Sequence, residues 1–455
     1  MTGYERGRAH GSTPTNTISP ARLAAFEILL RVEEAGAYAS VLLATKAGQL
    51  KPNDRAFAHE LVMGVLRRQL WLDHLIAHYA DRDPRRLDGA VRVALRIGLY
   101  QLRFMSRVPP SAAVNESVNL VRRARLRSAE SFVNAVLRRA TREVDYDPVT
   151  QIANPVEKLA LETSHPLWLI QRWADDWGLE ETTGFARANN EIAPTAFRVV
   201  NDSIHAPEIL DALKSEGMVL SPSAITPGGW RISDSSPLLH QLAREGRIYI
   251  QDEASQLVAH ILNPGAGERV LDVCAAPGSK TTHIAALSGG NSFIIAGDLH
   301  AHRLRTVAAT AATQGFEDIH CVALDGSQQL PFVTEGFDRV LVDAPCTGTG
   351  TLRRNPEIRW RISAADIGHL AARQLQIVSN AAAMVKPGGR LVYSTCSVEP
   401  EENEQVVSSF MQQSTDFKAL VLPVNSALLT TSGAVRVWPH KVGADGFFIA
   451  AFERL

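Results

Sequence analysis

Along the first third of the chain, apolar residues recur at intervals of three and four, the spacing that gathers them on one face of a helix. Ser19 and Pro20 form a start signal, after which Leu23, Phe26 and Leu30 share a face. Asp54 precedes Phe57, Leu61, Val62, Val65 and Leu66, and Ser111 precedes Val114, Val118 and Val121. Val91, Leu95, Leu99 and Leu102 repeat the spacing, as do Phe132 and Val136 behind Ser128. No two-residue alternation competes before residue 145, so an all-helical domain is predicted over 18–147, behind a polar leader at 1–17 that is expected to be disordered.

The stretch from Asp145 to Pro155 reads as a linker. A small α+β segment with linker helices is expected over 156–252: Ala196–Val200 and Arg247–Ile250 read as strands, Ala206–Gly217 and Pro237–Gly246 as helices ending at glycine. From residue 253 to 455 strand and helix alternate, which predicts a doubly wound, Rossmann-like α/β domain with a parallel sheet. Its strands are expected at Arg269–Cys274, Phe293–Asp298, Ile319–Asp325, Arg339–Pro345, Arg390–Cys396 and Phe447–Phe452.

Net charge alone conceals a division. The 455 residues carry a formal charge of −1, yet the first 150 hold 23 Lys+Arg against 15 Asp+Glu, and the rest hold 24 against 33. A basic segment joined to an acidic one points to a polyanion for the basic part. Arg122, Arg123, Arg125, Arg127, Arg138, Arg139 and Arg142 cluster with few acids nearby, as a phosphate-binding face would. Cys274, Cys321, Cys346 and Cys396 include no CxxC pair, which disfavours a disulfide framework or a zinc site; no metal is expected. No apolar run reaches the ~18 residues of a membrane span, and the polar start lacks a signal-peptide core, so a cytoplasmic location without membrane attachment is expected.

In a doubly wound sheet, ligands bind beyond the carboxyl ends of the strands. The first strand runs into Asp272-Val-Cys274-Ala275-Ala276-Pro277-Gly278-Ser279-Lys280, a small-residue turn that lets a ligand approach the backbone. The turn matches neither G-x-G-x-x-G nor a P-loop, which disfavours nucleotide triphosphates. Asp298 and Asp325 end the next two strands, placed for ribose hydroxyls and an exocyclic amine respectively. An adenosine without phosphates but with an amino-acid carboxylate is S-adenosylmethionine, the ligand inferred.

The fourth and fifth strands end at Asp343-Ala-Pro-Cys346 and Ser394-Thr-Cys396. Two cysteines facing one crevice beside a methyl donor imply covalent catalysis: thiolate addition at C6 of cytosine makes C5 nucleophilic enough to accept a methyl group. Cys274 and Cys321 read instead as small buried hydrophobes. Arg353, Arg354, Arg359 and Arg361 around Trp360 read either as a solvated loop or as a grip on a splayed nucleotide.

These motifs, with Arg354-Asn-Pro-Glu-Ile-Arg-Trp360 and Asp445-Gly-Phe-Phe448, resemble the Sun family of RNA cytosine-C5 methyltransferases, and Phe132-Val-Asn-Ala-Val-Leu-Arg138 in the helical front resembles NusB. The combination is similar to bacterial enzymes that methylate cytosine C5 in 16S ribosomal RNA. The resemblance implies Cys396 as nucleophile, Cys346 as the thiol that helps resolve the adduct, and Cys274 to Lys280, Asp298, Asp325 and Asp343 as S-adenosylmethionine contacts, Asp343 also touching the base. The implied partner is 16S ribosomal RNA, naked or in an early assembly intermediate, and a monomer is expected. A transfer-RNA enzyme of the same family, a non-catalytic RNA-binding factor and a small-molecule methyltransferase are the alternatives. Ser279 stands where the family has glycine, which puts any need for positive φ there in question. Thr347 replaces the usual serine and keeps its hydroxyl.

Overall fold

The computed structural model describes residues 17–200, 202–233 and 236–455. The leader expected at 1–17 lies outside them except for Thr17. The chain divides into two units: one comprises residues up to Ala186 together with Asn355–Arg361, the other Arg187–Arg354 and Ile362–Leu455.

Helices Pro20–Ala35, Ala39–Lys46, Pro52–Arg67, Gln69–Ala80, Gly89–Phe104, Pro110–Arg123 and Glu130–Arg142 build the first unit. Phe26, Leu61, Val62, Leu95, Leu99, Val121 and Val136 are buried at its centre, as the spacing predicts, joined by Leu72, Val133 and Leu137. The predicted Leu23, Leu30, Phe57, Leu102, Val118 and Phe132 are partly buried against it. Pro20 opens the first helix, but the Ser19 hydroxyl makes no capping bond; it accepts from Arg22 instead. Two buried arginines tie the bundle together. Arg22 pairs with Glu116 and donates to Gln101, and Arg96 pairs with both Glu33 and Asp73 at 2.7 Å.

Three further helices, Pro155–Glu162, Leu167–Trp177 and Leu179–Ala188, follow. The short turn Pro356–Trp360 belongs to this unit although it is remote in sequence. Its Arg359 is fully buried and donates to the carbonyl oxygens of Thr163 and Ser164, while Glu357 accepts the Ala39 N–H at 2.8 Å.

The second unit contains two sheets. In the smaller one, β1 (Thr195–Val199), β2 (Leu220–Pro222), β3 (Gly229–Ile232) and β4 (Ile248–Ile250) run antiparallel in the order β2-β3-β1-β4. The larger one contains β5 (Arg269–Asp272), β6 (Phe293–Asp298), β7 (Ile319–Ala323), β8 (Phe337–Asp343), β9 (Val385–Thr395), β10 (Phe417–Ala419), β11 (Val435–Val437) and β12 (Phe447–Arg454). Its order is β10-β12-β9-β8-β5-β6-β7, with β11 beside β12. Strands β5 to β9 are mutually parallel, but β12 pairs antiparallel with β9, so the sheet is mixed where a parallel one is expected from sequence. The cause is local: the hairpin from β11 reverses the chain just before it enters β12.

Replacing Arg96 by Ala strands Asp73 at the edge of the helical core, while Glu33 keeps its pair with Arg92. Both partners keep some solvent contact, so a loss of about 3 kcal/mol is expected, the low end for a broken buried pair. Urea unfolding of the helical unit followed by circular dichroism measures it, and a loss below about 1 kcal/mol, the range of surface pairs, contradicts the buried role.

Candidate active site

The crossovers from β5 lead to β6 and then β7 on one side, whereas β8 and β9 lie on the other. Chain direction across the sheet therefore switches between β5 and β8, and loops leaving these neighbours part to form a crevice. Asp272 ends β5, Asp298 ends β6, Asp343 ends β8, and Asp325 lies two residues beyond β7.

The loop after β5 leads into helix Ser279–Leu287. Gly278, at the helix cap, has φ of 103°, and a side chain there would press on the Val307 backbone at 3.1 Å. Ser279 is the first helical residue, so the left-handed position is Gly278 and a serine at 279 meets no strain. Lys280 donates to Asp343 at 2.7 Å, and the Ser394 hydroxyl donates to the other Asp343 oxygen at 2.8 Å. Burial works against the Lys280 charge, but Asp343 outweighs it and the ammonium pKa is raised.

Asp272 is buried. One oxygen accepts from the Thr281 hydroxyl at 2.7 Å, while the other has no partner. Burial first, then Asp343, push its carboxyl up to about 7 against the opposing effect of Thr281 and Lys280. Asp298 accepts the His300 N–H at 2.9 Å and pairs with Arg303; Asp325 accepts from the Ser327 N–H and hydroxyl. Both acids thus brace their own turns at the rim of the crevice.

Cys346 and Cys396 lie in the loops just beyond β8 and β9, with their sulfurs 3.3 Å apart. The hydrogen bond with Cys396, burial, and the nearby Glu402 and Asp343 carboxylates hold the Cys346 thiol well above its usual pKa. The Cys396 carbonyl accepts the Gly350 N–H at 2.9 Å, and the Gly350 carbonyl accepts the Gly446 N–H at 2.8 Å. A side chain at 350 would fall 2.1 Å from the Gly446 carbonyl oxygen. The spacing in Cys346-x-Gly-x-Gly350 is therefore a close backbone approach that fixes the Cys396 loop. Beneath both loops lies Glu402, which accepts from Thr347, Ser397 and Gln374.

Several sequence expectations change here. Arg353 is buried against the Gly443 carbonyl, and Arg354 is ion-paired with Asp252 and Asp445. With Arg359 also buried, these three arginines are structural and grip no nucleotide. Cys321 is exposed on the edge strand β7, not a buried filler. Cys274 is half-buried, and burial together with Asp272, Asp343 and Asp298 raises its thiol pKa. In the helical unit, Arg122 pairs with Glu130, and Arg139 with Glu143 and Asp81. Arg123, Arg125, Arg127, Arg138 and Arg142 remain exposed and make up the basic face. Glu402 and Gln374 escape the sequence reading because an acid inside Glu399-Pro-Glu-Glu402 and a glutamine on an amphipathic helix both read as surface.

Comparison with known proteins agrees with this layout. Residues 259–453 match the family model described as 16S rRNA methyltransferase RsmB/F, residues 19–142 match the NusB family, and 165–238 match a ferredoxin-like domain of RsmF/B-like methyltransferases. The chain is 34% identical to the probable ribosomal RNA small subunit methyltransferase B of Bacillus subtilis over 94% of its own length and 98% of that protein. It is 37% identical to the protein so named in Synechocystis sp., over 95% and 99% respectively. Among solved structures, that of PH0851 superposes with a TM-score of 0.83 at 27% identity, covering 96% of this chain and 99% of that one.

An acid with a folded pKa above its unfolded value binds more protons folded than unfolded, so stability falls as pH rises from about 4 towards about 7. Asp272→Asn removes that penalty while keeping an acceptor for Thr281. Its melting temperature is expected to exceed that of the parent, by more at pH 8 than at pH 5. A difference that does not widen with pH contradicts the raised pKa.

Proposed function

The chain belongs to the 16S rRNA methyltransferase RsmB/F family, and from that premise we propose that it methylates C5 of a cytosine in 16S ribosomal RNA through a covalent Cys396 adduct. The observation that carries this reading is the pair of sulfurs 3.3 Å apart beside an acid-lined crevice. Methylation of an exocyclic amine needs no thiol, whereas methylation of an electron-poor ring carbon does.

The crevice suits S-adenosylmethionine. Asp272 offers an unpartnered buried oxygen, and the small loop 274–280 admits a ligand close to the backbone. Asp298 and Asp325 are the acceptors for ribose hydroxyls and adenine, and the acidic surroundings favour a cationic donor. When bound there, the cofactor supplies an electrophilic methyl group on a sulfonium.

The protein's own groups carry the remaining steps. A cytosine freed from stacking enters the crevice, and Asp343, fixed by Lys280 and Ser394, accepts from its exocyclic amine. The family resemblance gives the nucleophilic role to Cys396, and the raised thiol pKa of its neighbour Cys346 accords with that division. The Cys396 thiolate bonds to C6, and the displaced electrons make C5 an enamine carbon that takes the methyl group. Loss of the C5 proton to a base, with cleavage of the sulfur–C6 bond, restores the ring and the thiolate. Cys346 beside the leaving sulfur assists that release. The five exposed arginines of the NusB-like unit position the RNA through its phosphates, and the presence of a NusB-like front disfavours a transfer RNA enzyme of the family.

Cys396→Ala is expected to reduce transfer of labelled methyl to unmodified 16S RNA to background while S-adenosylmethionine binding persists; transfer at the parental rate overturns the assignment. Cys346→Ala is expected to accumulate an RNA–protein adduct that survives a denaturing gel, and free protein alone after incubation with RNA and cofactor contradicts its role in release. Changing Arg123, Arg125, Arg127, Arg138 and Arg142 together to Gln is expected to weaken RNA binding and flatten its salt dependence, by about 0.7 in the log–log slope for each single-strand phosphate that is no longer neutralised. An unchanged slope places the RNA elsewhere.

A further inference from the structure

Glu402 is a carboxylate where an apolar side chain would ordinarily sit. It occupies the turn Pro400–Glu402 after β9, is fully buried, and no cation pairs with it among the described residues. Such a charge is costly to bury unless donors surround it. Here four donors do. One oxygen accepts the Thr347 N–H and the Gln374 amide, each at 2.9 Å; the other accepts the hydroxyls of Thr347 and Ser397.

The identity of these donors matters more than their number. Thr347 directly follows Cys346, and Ser397 directly follows Cys396. Gln374 also donates to the carbonyl of Pro345, the residue before Cys346, at 2.9 Å. One carboxylate therefore holds the chain on both sides of Cys346 and on the far side of Cys396. Asn403, its neighbour in sequence, extends the hold: it donates to the Ser397 carbonyl at 3.0 Å and accepts from the Thr395 hydroxyl. None of these bonds involves the groups that would hold the methyl donor.

We propose that Glu402 is the positioning residue of the methyl-transfer site, its carboxylate setting the separation and orientation of the two cysteines through Thr347, Ser397 and Gln374. The proposal rests on the roles assigned above to Cys396 and Cys346. It adds that the acid acts twice: by geometry, as a clamp on two loops, and by charge, since a buried anion near Cys346 favours the protonated thiol there.

Glu402→Gln tests it in the full-length protein. The amide oxygen can still accept from Thr347 and Gln374, and the two hydroxyls can turn to accept from the amide nitrogen, so shape is conserved while charge is lost. Affinity for S-adenosylmethionine and KM for 16S RNA are expected to stay within about twofold, while kcat falls about 10- to 100-fold through loss of the buried charge beside Cys346. In a Cys396→Ser background, the pH midpoint for alkylation of Cys346 by iodoacetamide is expected to drop by about one unit when Glu402 becomes Gln, as loss of a nearby anion requires. Glu402→Asp, which keeps the charge but shortens the reach, is expected to restore that midpoint without restoring kcat. Parental kcat together with an unmoved midpoint in Glu402→Gln overturns the proposal. If Glu402→Gln does not fold, Ser397→Ala, which removes one clamped donor, carries the test: kcat is expected to fall at least about fivefold, and an unchanged kcat overturns the proposal. A fully active Cys396→Ala would instead overturn the assignment of the nucleophile, so the two failures are distinguishable.

Discussion

The change of crossover direction between β5 and β8 is the constraint on which the site depends. In a sheet whose parallel strands all wound one way, neighbouring loops would fold over the same face and close the gap between strand ends. Here the loop after β5 leaves towards β6 and the loop after β8 leaves towards β9, so the ends of two adjacent strands stay open. The groups given the methyl-transfer chemistry lie along that opening, with Asp298 and Asp325 further along the sheet at the ends of β6 and β7. Asp272 and Lys280 come from one side, Asp343 and Cys346 from the other, and β9 adds Ser394 and Cys396. The Lys280–Asp343 pair joins the loop that suits the cofactor to the strand end that suits the base.

Buried charge serves two different ends in this molecule. Some buried ions stitch remote parts of the chain into one unit: Arg359 saturates the carbonyls of Thr163 and Ser164 nearly two hundred residues upstream, and Arg354 gathers Asp252 and Asp445. Others are retained next to chemistry. Asp272 lies in surroundings that resist its ionisation, and Glu402 is buried among neutral donors beneath two thiols. A core chosen for stability alone would not keep either, because apolar residues of similar volume cost less to bury.

Much of this was legible in the residue order, and the rest was hidden for identifiable reasons. Helical spacing located the bundle core because a three-to-four repeat survives any tertiary context. β6 is found as expected, at Phe293–Asp298. Strands β2, β3, β10 and β11 are only three or four residues long, too short to show alternation, and they owe their existence to partners. β8 stops at Asp343 although apolar Ala344 and Pro345 continue the pattern; the chain leaves the sheet there to present Cys346. Which arginines are free could not be read locally. Arg122 and Arg139 are neutralised by Glu130, Glu143 and Asp81, while Arg123 and Arg138, their immediate neighbours, point outward. The cysteine motifs were visible in sequence, but the acid that holds them was not, since nothing local separates a buried glutamate from a surface one.

The central claim is that one cysteine, Cys396, bonds to the cytosine ring while the other does not. Fluorine at C5 blocks the proton loss that ends the cycle and so preserves the adduct. The decisive measurement is mass spectrometry of the nuclease- and protease-treated protein after incubation with S-adenosylmethionine and 16S RNA containing 5-fluorocytidine. A methylated fluorocytidine nucleotide on the peptide bearing Cys396 is the predicted result. A nucleotide on the Cys346 peptide, or no covalent nucleotide while ordinary 16S RNA is methylated, would contradict the account.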